Sequence, residues 1–192
     1  MSNAKSAAEM IYDADQAQDT PGVARIELWF SPIAYHGHAF LKRINADGTT
    51  EELHGEPTSF VDGSELRAEH YNRDSKYTRG GRRVAVLASG SEEQIARTWA
   101  KGMAAREEIN AGKKGFQYKA YDVAYEGGGS GGEIQNSNSM AFTYVKAMDL
   151  DAEGAIRKAG IDRRLPGWGR NLRDPNYRRY MSPPPLAVTQ TP

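Results

Sequence analysis

Alternation of apolar and polar side chains begins at Ala24: Ile26, Leu28 and Phe30 are separated by Arg25, Glu27 and Trp29, the period-two pattern of a strand with one buried face. The runs His38 to Ile44 and Thr50 to Leu53 flank Asn45-Ala46-Asp47-Gly48, and Asp-Gly between strand-like runs predicts a hairpin. Residues 55 to 82 are rich in Gly, Asp, Asn, Arg and Ser and read as a long surface excursion with room for one short element. Arg83 to Ala88 is short, apolar and β-branched, as a buried strand would be. Ser91 and Gln94 then form a capping box, and Ile95, Trp99 and Met103 carry helical spacing to a stop at Asn110-Ala111-Gly112. Phe116, Tyr118 and Ala120 alternate with Gln117 and Lys119 as a further strand. After the Gly-rich segment 127 to 132, the spacing of Phe142, Val145 and Met148 predicts a helix over Met140 to Leu150, and Asp151 to Ala159 predicts another, stopped at Gly160.

The elements describe an α+β fold: an antiparallel sheet of about five strands with helices 91–110 and 139–150 packed on it. Residues 23–165 form the domain, 1–22 a loosely held leader or short helix, and 166–192 an irregular tail whose proline-rich end reads as disordered.

Composition narrows the function classes. A chain of 192 residues is long enough to close one core without metal or disulfide help. Its 25 basic and 25 acidic side chains balance, so the chain lacks the excess charge that favours nucleic acid or an anionic membrane, the one local departure being the basic stretch Arg157 to Arg179. With no cysteine, there is no thiolate metal site and no thiol nucleophile, and covalent catalysis would have to use oxygen or nitrogen. No run reaches the roughly 20 apolar residues of a membrane span, and no apolar signal-peptide core stands at the N-terminus. The expectation is a cytoplasmic chain or one exported without a cleavable signal peptide.

Three constellations could carry chemistry. The segment 127–132 satisfies G-x-G-x-x-G, but six small residues satisfy almost any glycine pattern, and the predicted helix starts too late for its amides to meet a pyrophosphate. It reads as a loop beside a site, with no cofactor implied. His36 and His38 share one face of a strand, yet His54 and His70 lack the spacing to complete a four-coordinate zinc site, so no metal is expected. The third is Gln135-Asn136-Ser137-Asn138-Ser139, just before the second long helix. Asn and Ser are good N-caps, but one cap needs one such residue and four exceed the need. A hydroxyl at the positive end of a helix is stabilised as it gains negative charge, which makes Ser137 or Ser139 a candidate nucleophile if an imidazole activates it. His38 is the natural donor of that imidazole.

A histidine leading a strand (HGHAFLKRINADG, 36–48), a partner strand closing on Gly and Pro (ELHGEP, 52–57) and QNSNSMAFTYV at a helix start together resemble the circularly permuted papain-like proteins, the PPPDE-type peptidases and their NlpC/P60-like relatives. In that family a cysteine flanked by asparagines begins the helix; Ser137 stands at its place between Asn136 and Asn138. The serine version of the motif is similar to one in bacterial toxin- or adhesin-associated proteins. The resemblance implies a peptidase- or amidase-like hydrolase, a possible effector or toxin, with Ser137 as nucleophile, His38 as general base and acid, and His36 in reserve. The amides at Ser137 and Asn138, with the Gln135 or Asn136 side chain, would form the oxyanion site, and Glu52 or His54 would orient the imidazole. A peptide, isopeptide, peptidoglycan stem or other acyl group would be the substrate. The departure is chemical: a hydroxyl is a far weaker nucleophile than a thiolate near pH 7. An active serine enzyme, an inactive relative kept as a protein-binding module and a chain whose cysteine was exchanged for serine all fit the pattern.

Overall fold

The structure is a computed structural model and describes residues 21–33, 36–59, 64–112, 116–119, 134–161 and 164–174. The alternating runs form strands β1 (Ala24–Ile33), β2 (His36–Ile44), β3 (Thr50–Pro57) and β5 (Arg82–Gly90), with β4 (Glu65–Tyr71) and the short β6 (Phe116–Gln117) completing them. Among the described residues they make one six-stranded antiparallel sheet in the order β5-β1-β2-β3-β4-β6. The fold is therefore α+β as expected, with one strand more. The extra strand, β4, lies inside the segment expected to be a surface excursion. It presents only Leu66 and Ala68 to the core and is held by its register on β3, Pro57↔Leu66 to Glu52↔Tyr71. The same segment holds helix α1 (Lys76–Gly80), capped by Ser75. The strand expected over 116–120 is short: β6 ends at Gln117, after which the chain keeps the Tyr118 amide's bond to the Ser64 carbonyl and the bridge Lys119↔Gln135, and Ala120 and the Gly-rich segment lie outside the described residues.

Helix α2 (Glu92–Asn110) has the expected Ser91/Gln94 capping box. Helix α3 runs from Ser137 to Ala147, starting two residues earlier than expected because Asn136 is the N-cap. Helix α4 (Glu153–Lys158) ends before Gly160, whose φ of 64° suits a residue without a side chain. Both long helices cover one face of the sheet. Ile26, Leu28 and Phe30, Ala39 and Leu41, Leu53, and Leu66 and Ala68 are buried there with Ile95 and Trp99 of α2 and with Met140, Tyr144 and Val145 of α3. Each large side chain contributes about 1.5–3 kcal/mol on leaving water. Residues 164–174 make turns but are not loose: Leu165 and Leu172 are buried, and the Leu172 amide donates to Thr143 Oγ1 of α3 at 2.9 Å. No helix among the described residues is long and apolar enough to cross a membrane.

The opposite face of the sheet buries polar groups: Glu27, Lys42, Glu52, His38 and His54 are all at most 5% exposed. Glu27 takes three donors, Arg25 Nε and Trp29 Nε1 at 2.7 Å and an Arg83 guanidinium nitrogen at 3.1 Å, which compensates the burial of its charge. α1 supplies Tyr77 to the other end of this face.

One irregularity positions the site. The β2–β3 ladder runs only from Ile44↔Thr50 to Leu41↔Leu53. Beyond it β2 stays with β1 as far as Ile33↔His36 and β3 stays with β4, so the sheet splits. Side chains of α3 fill the split: the Ala39 amide donates to Asn138 Oδ1 at 2.9 Å, and Tyr144 Oη donates to the His54 carbonyl at 3.1 Å.

Candidate active site

The four small polar residues at the start of α3 have separate roles. Asn136 is the N-cap, its Oδ1 accepting from the Asn138 amide (2.9 Å) and the Ser139 amide (3.3 Å) while its Nδ2 donates to the Pro166 carbonyl at 3.0 Å. Ser139 closes the capping box, accepting from the Asn136 amide, and donates to the Gly167 carbonyl at 3.1 Å; it is fully buried. Asn138 joins two other segments: its Oδ1 takes the Ala39 amide and its Nδ2 donates to the Pro166 carbonyl at 3.0 Å. Ser137 alone is half-exposed, and its hydroxyl has no hydrogen-bond partner among the described residues. Of the two serines considered as nucleophiles, Ser139 is consumed by structure and Ser137 is free.

Ser137 is anchored from below by β3. A methyl group added at Gly55 would stand 2.4 Å from Met140 Cβ and 3.1 Å from Ser137 Cα, so the first turn of α3 rests directly on this glycine. Strand and helix approach this closely only where no side chain intervenes.

On the other face of the split, three buried side chains form a chain. Glu52 Oε2 lies 2.8 Å from His54 Nε2, and His54 Nδ1 lies 2.8 Å from His38 Nε2. Glu52 and His54 thus stand in series, with His54 touching His38 and Glu52 holding His54. Glu52 also accepts from the Ser75 amide at 3.2 Å and from the Thr78 hydroxyl. Its burial favours the neutral acid, but the bonds from His54, Ser75 and Thr78 outweigh that and hold the carboxyl below its ordinary value. A carboxylate can only accept, so with both rings neutral His54 carries its proton on Nε2 and accepts on Nδ1. His38 must then donate from Nε2, which leaves its Nδ1 with a free lone pair. The carboxylate fixes the tautomer of an imidazole two residues away along the chain of bonds.

Aromatic packing holds the rings in place. His38 stacks on Tyr77 at 4.0 Å between centroids and on His54 at 5.1 Å, and His54 stacks on Phe40 at 4.4 Å. Burial, then the charges of His54 and Lys76, lower the His38 pKa well below its ordinary 6.5, so the ring is neutral at physiological pH. Burial and Glu56 push the Tyr77 phenol up to about 12.

The fold thus brings the serine and histidine segments together: Asn138 and Ala39, the sequence neighbours of Ser137 and His38, are hydrogen-bonded. Ser137 and His38 are not directly bonded in this resting geometry. His36 belongs to the same strand, paired with Ile33, but the imidazole in the hydrogen-bonded chain is that of His38. The expected oxyanion donors are mostly engaged elsewhere. The Asn138 amide is taken by Asn136, the Asn136 carboxamide by the cap and Pro166, and Gln135 Nε2 by the Gln117 carbonyl. The Ser137 amide, at the first helical position, has no acceptor within its own helix. Gln135 is fully buried, and its Oε1 has no partner among the described residues. The signal that could have found the Glu52-His54 series in the sequence is the Glu-x-His spacing, which puts both side chains on one face of a strand.

No family model matches the chain, and no curated protein or solved structure matches it.

Proposed function

We propose that the protein hydrolyses amide or acyl bonds, with Ser137 as nucleophile and His38 as general base and then general acid. The observation that carries this reading is the carboxylate-ended chain Glu52-His54-His38, which leaves a lone pair on His38 Nδ1 in a strand whose next residue, Ala39, is bonded to Asn138 at a helix start where the Ser137 hydroxyl has no partner among the described residues. A thiol needs little help to ionise, whereas a hydroxyl needs a neutral, correctly oriented base. The buried carboxylate behind two imidazoles fixes the tautomer in which His38 Nδ1 can accept the serine proton, and burial with the charges of His54 and Lys76 keeps the ring neutral beforehand.

In the proposed reaction Ser137 Oγ attacks the carbonyl carbon while its proton passes to His38 Nδ1. The imidazolium is held by its Nε2–H donating to His54, and the oxyanion faces the Ser137 amide, which has no acceptor within its own helix, and the positive end of α3. His38 returns the proton to the leaving amine or alkoxide, giving the acyl-serine. A water molecule deprotonated by the same nitrogen then releases the acid. Catalytic hydrogen bonds are often long before substrate arrives, so the missing resting bond from Ser137 to His38 is compatible with the role.

A fluorophosphonate probe tests the reading. The native chain is expected to label and Ser137→Ala to stay unlabelled; labelling that survives in Ser137→Ala removes Ser137 as nucleophile. The second reading, a protein-binding module on the same fold, is favoured by the absence of a direct Ser137–His38 bond. An unlabelled native chain with labelled Ser137→Cys would support it.

A further inference from the structure

Two arginines lie over one aromatic ring, Phe30, whose strand pairs with the one carrying His38. The Arg164 guanidinium carbon stands 5.1 Å from the centroid of Phe30 and that of Arg82 stands 6.0 Å from it. Among the described residues neither guanidinium pairs with a carboxylate. The ring they share is fixed: Phe30 is 2% exposed, and a methyl added at Gly37 would stand 1.8 Å from its Cε2, so ring and β2 backbone are in contact one residue before His38. Arg82 reaches the ring as its neighbour in the β1–β5 register. Arg164 reaches it from the strap whose Pro166 and Gly167 carbonyls are bound by Asn136, Asn138 and Ser139. The pair therefore joins the segment carrying the proposed base to the segment carrying the proposed nucleophile. Lys76, on the far side of His38 with its Nζ 4.9 Å from the centroid of Tyr77, adds a third cation with no acidic partner among the described residues.

Two guanidinium groups on one ring, with no carboxylate partner among the described residues, make the potential there positive, and an anion reached by both is stabilised. Guanidinium forks also match the geometry of planar or tetrahedral oxyanions, and stacking on an aromatic ring fixes their orientation before the ligand arrives. We propose that Arg164 and Arg82 on Phe30 form a subsite for an oxyanion, a carboxylate or a phosphoryl group, carried by the substrate a short distance from its scissile carbonyl. The inference rests on the hydrolase reading for the word substrate, while the anion site itself does not.

The test has two arms. In the first, hydrolysis of 4-nitrophenyl hydrogen succinate is compared with that of 4-nitrophenyl butanoate, which lacks the carboxylate, and the readout is the ratio of their kcat/KM values. Arg164→Gln and Arg82→Gln are each expected to lower that ratio by about tenfold, the size of a lost charge-assisted hydrogen bond, with partial recovery in Arg164→Lys. Parallel slowing of both esters overturns the subsite and leaves the arginines as mere cover for Phe30. In the second arm, the Ser137→Ala chain is titrated with N-acetylglycine and with methyl phosphate by NMR, which separates carboxylate from phosphoryl preference. Binding weakened about tenfold by adding Arg164→Gln keeps the anion site even if the native chain hydrolyses neither ester, in which case only the hydrolase reading falls. No binding of either anion overturns the site. Should Arg164→Gln fail to fold, Arg82→Gln, at an exposed position, decides both arms.

Discussion

Gly55 lies directly beneath Ser137: the position a Cβ would take at Gly55 is 3.1 Å from Ser137 Cα and 2.4 Å from Met140 Cβ. Neither atom is the end of a flexible side chain, so a methyl group can be accommodated only by lifting the first turn of α3 off β3. Gly55→Ala is therefore expected to cost about 1–3 kcal/mol in urea unfolding, as overpacking does. It should also reduce fluorophosphonate labelling, because the helix start moves relative to the Ala39–Asn138 bond. Gly154→Ala in α4, where nothing lies within 4 Å, is the control and should stabilise by roughly 0.5–1 kcal/mol. Equal stability changes in the two variants would mean that α3 does not rest on β3 as described.

The motif at the start of α3 predicts an unequal response to single substitutions. Ser139→Ala removes a fully buried hydroxyl that bonds the Gly167 carbonyl, and Asn138→Ala removes the bonds to the Ala39 amide and the Pro166 carbonyl. Each is expected to cost about 1–3 kcal/mol, since buried partners are left unsatisfied. Ser137→Ala removes no hydrogen bond to any of the described residues and should shift stability by less than about 0.5 kcal/mol. Chemical denaturation of the three variants checks this. A Ser137→Ala variant as destabilised as Ser139→Ala would show that Ser137 is part of the cap.

Much of this arrangement was legible in the sequence, and the parts that were not have physical causes. Ile26, Leu28 and Phe30 announced β1 because one face of the strand is buried and the other is polar. β4 was hidden because two inward side chains, Leu66 and Ala68, make too short an alternation among Glu65, Arg67 and Glu69; the ladder with β3 supplies what the pattern lacks. The start of α3 was placed late because Asn136, Ser137, Asn138 and Ser139 all suit an N-cap and spacing does not say which of them caps; tertiary bonds to the 164–174 strap turn two of them into core. The choice between Glu52 and His54 could not be made from spacing, because both face the same way and the fold uses both. That the serine segment would meet the histidine strand followed from the motif; that the strands would part to admit Asn138 did not.

The Glu52 carboxylate is expected to act on the reaction through two rings without touching the substrate. Glu52→Gln keeps the shape but offers an amide N–H where His54, Ser75 and Thr78 all donate, so one donor is left opposed or the His54 tautomer reverses. If it reverses, His38 must accept on Nε2 and its Nδ1 becomes protonated, which disables it as a base. Labelling or ester hydrolysis should fall by about 10²-fold or more, the lower range for a lost general base. Ring-proton NMR offers a readout that simple destabilisation would not move: the protonated nitrogen of His38 should change from Nε2 to Nδ1. An unchanged tautomer with full activity would remove the carboxylate from the mechanism.

The lowered pKa of His38 gives the molecule a defined response to acid. Burial is the main cause, followed by the charges of His54 and Lys76, and all three disfavour the imidazolium. The unfolded chain therefore binds a proton near 6.5 that the folded chain refuses until lower pH, and stability contributed by neutral His38 is fully present above 6.5 and is lost as pH falls from 6.5 through the folded value. Glu52 adds to this below its ordinary 4.5, where its bonded carboxylate must protonate. Unfolding free energy measured against pH should decline on acidification below 6.5. His38→Gln, which cannot titrate, should flatten that slope while leaving the decline below 4.5 in place. Reactivity follows the same ring. Because the base is active when neutral, the acid limb of the labelling rate should lie below 6.5, and a limb at or above 6.5 would mean that the group accepting the serine proton is not the buried imidazole of His38.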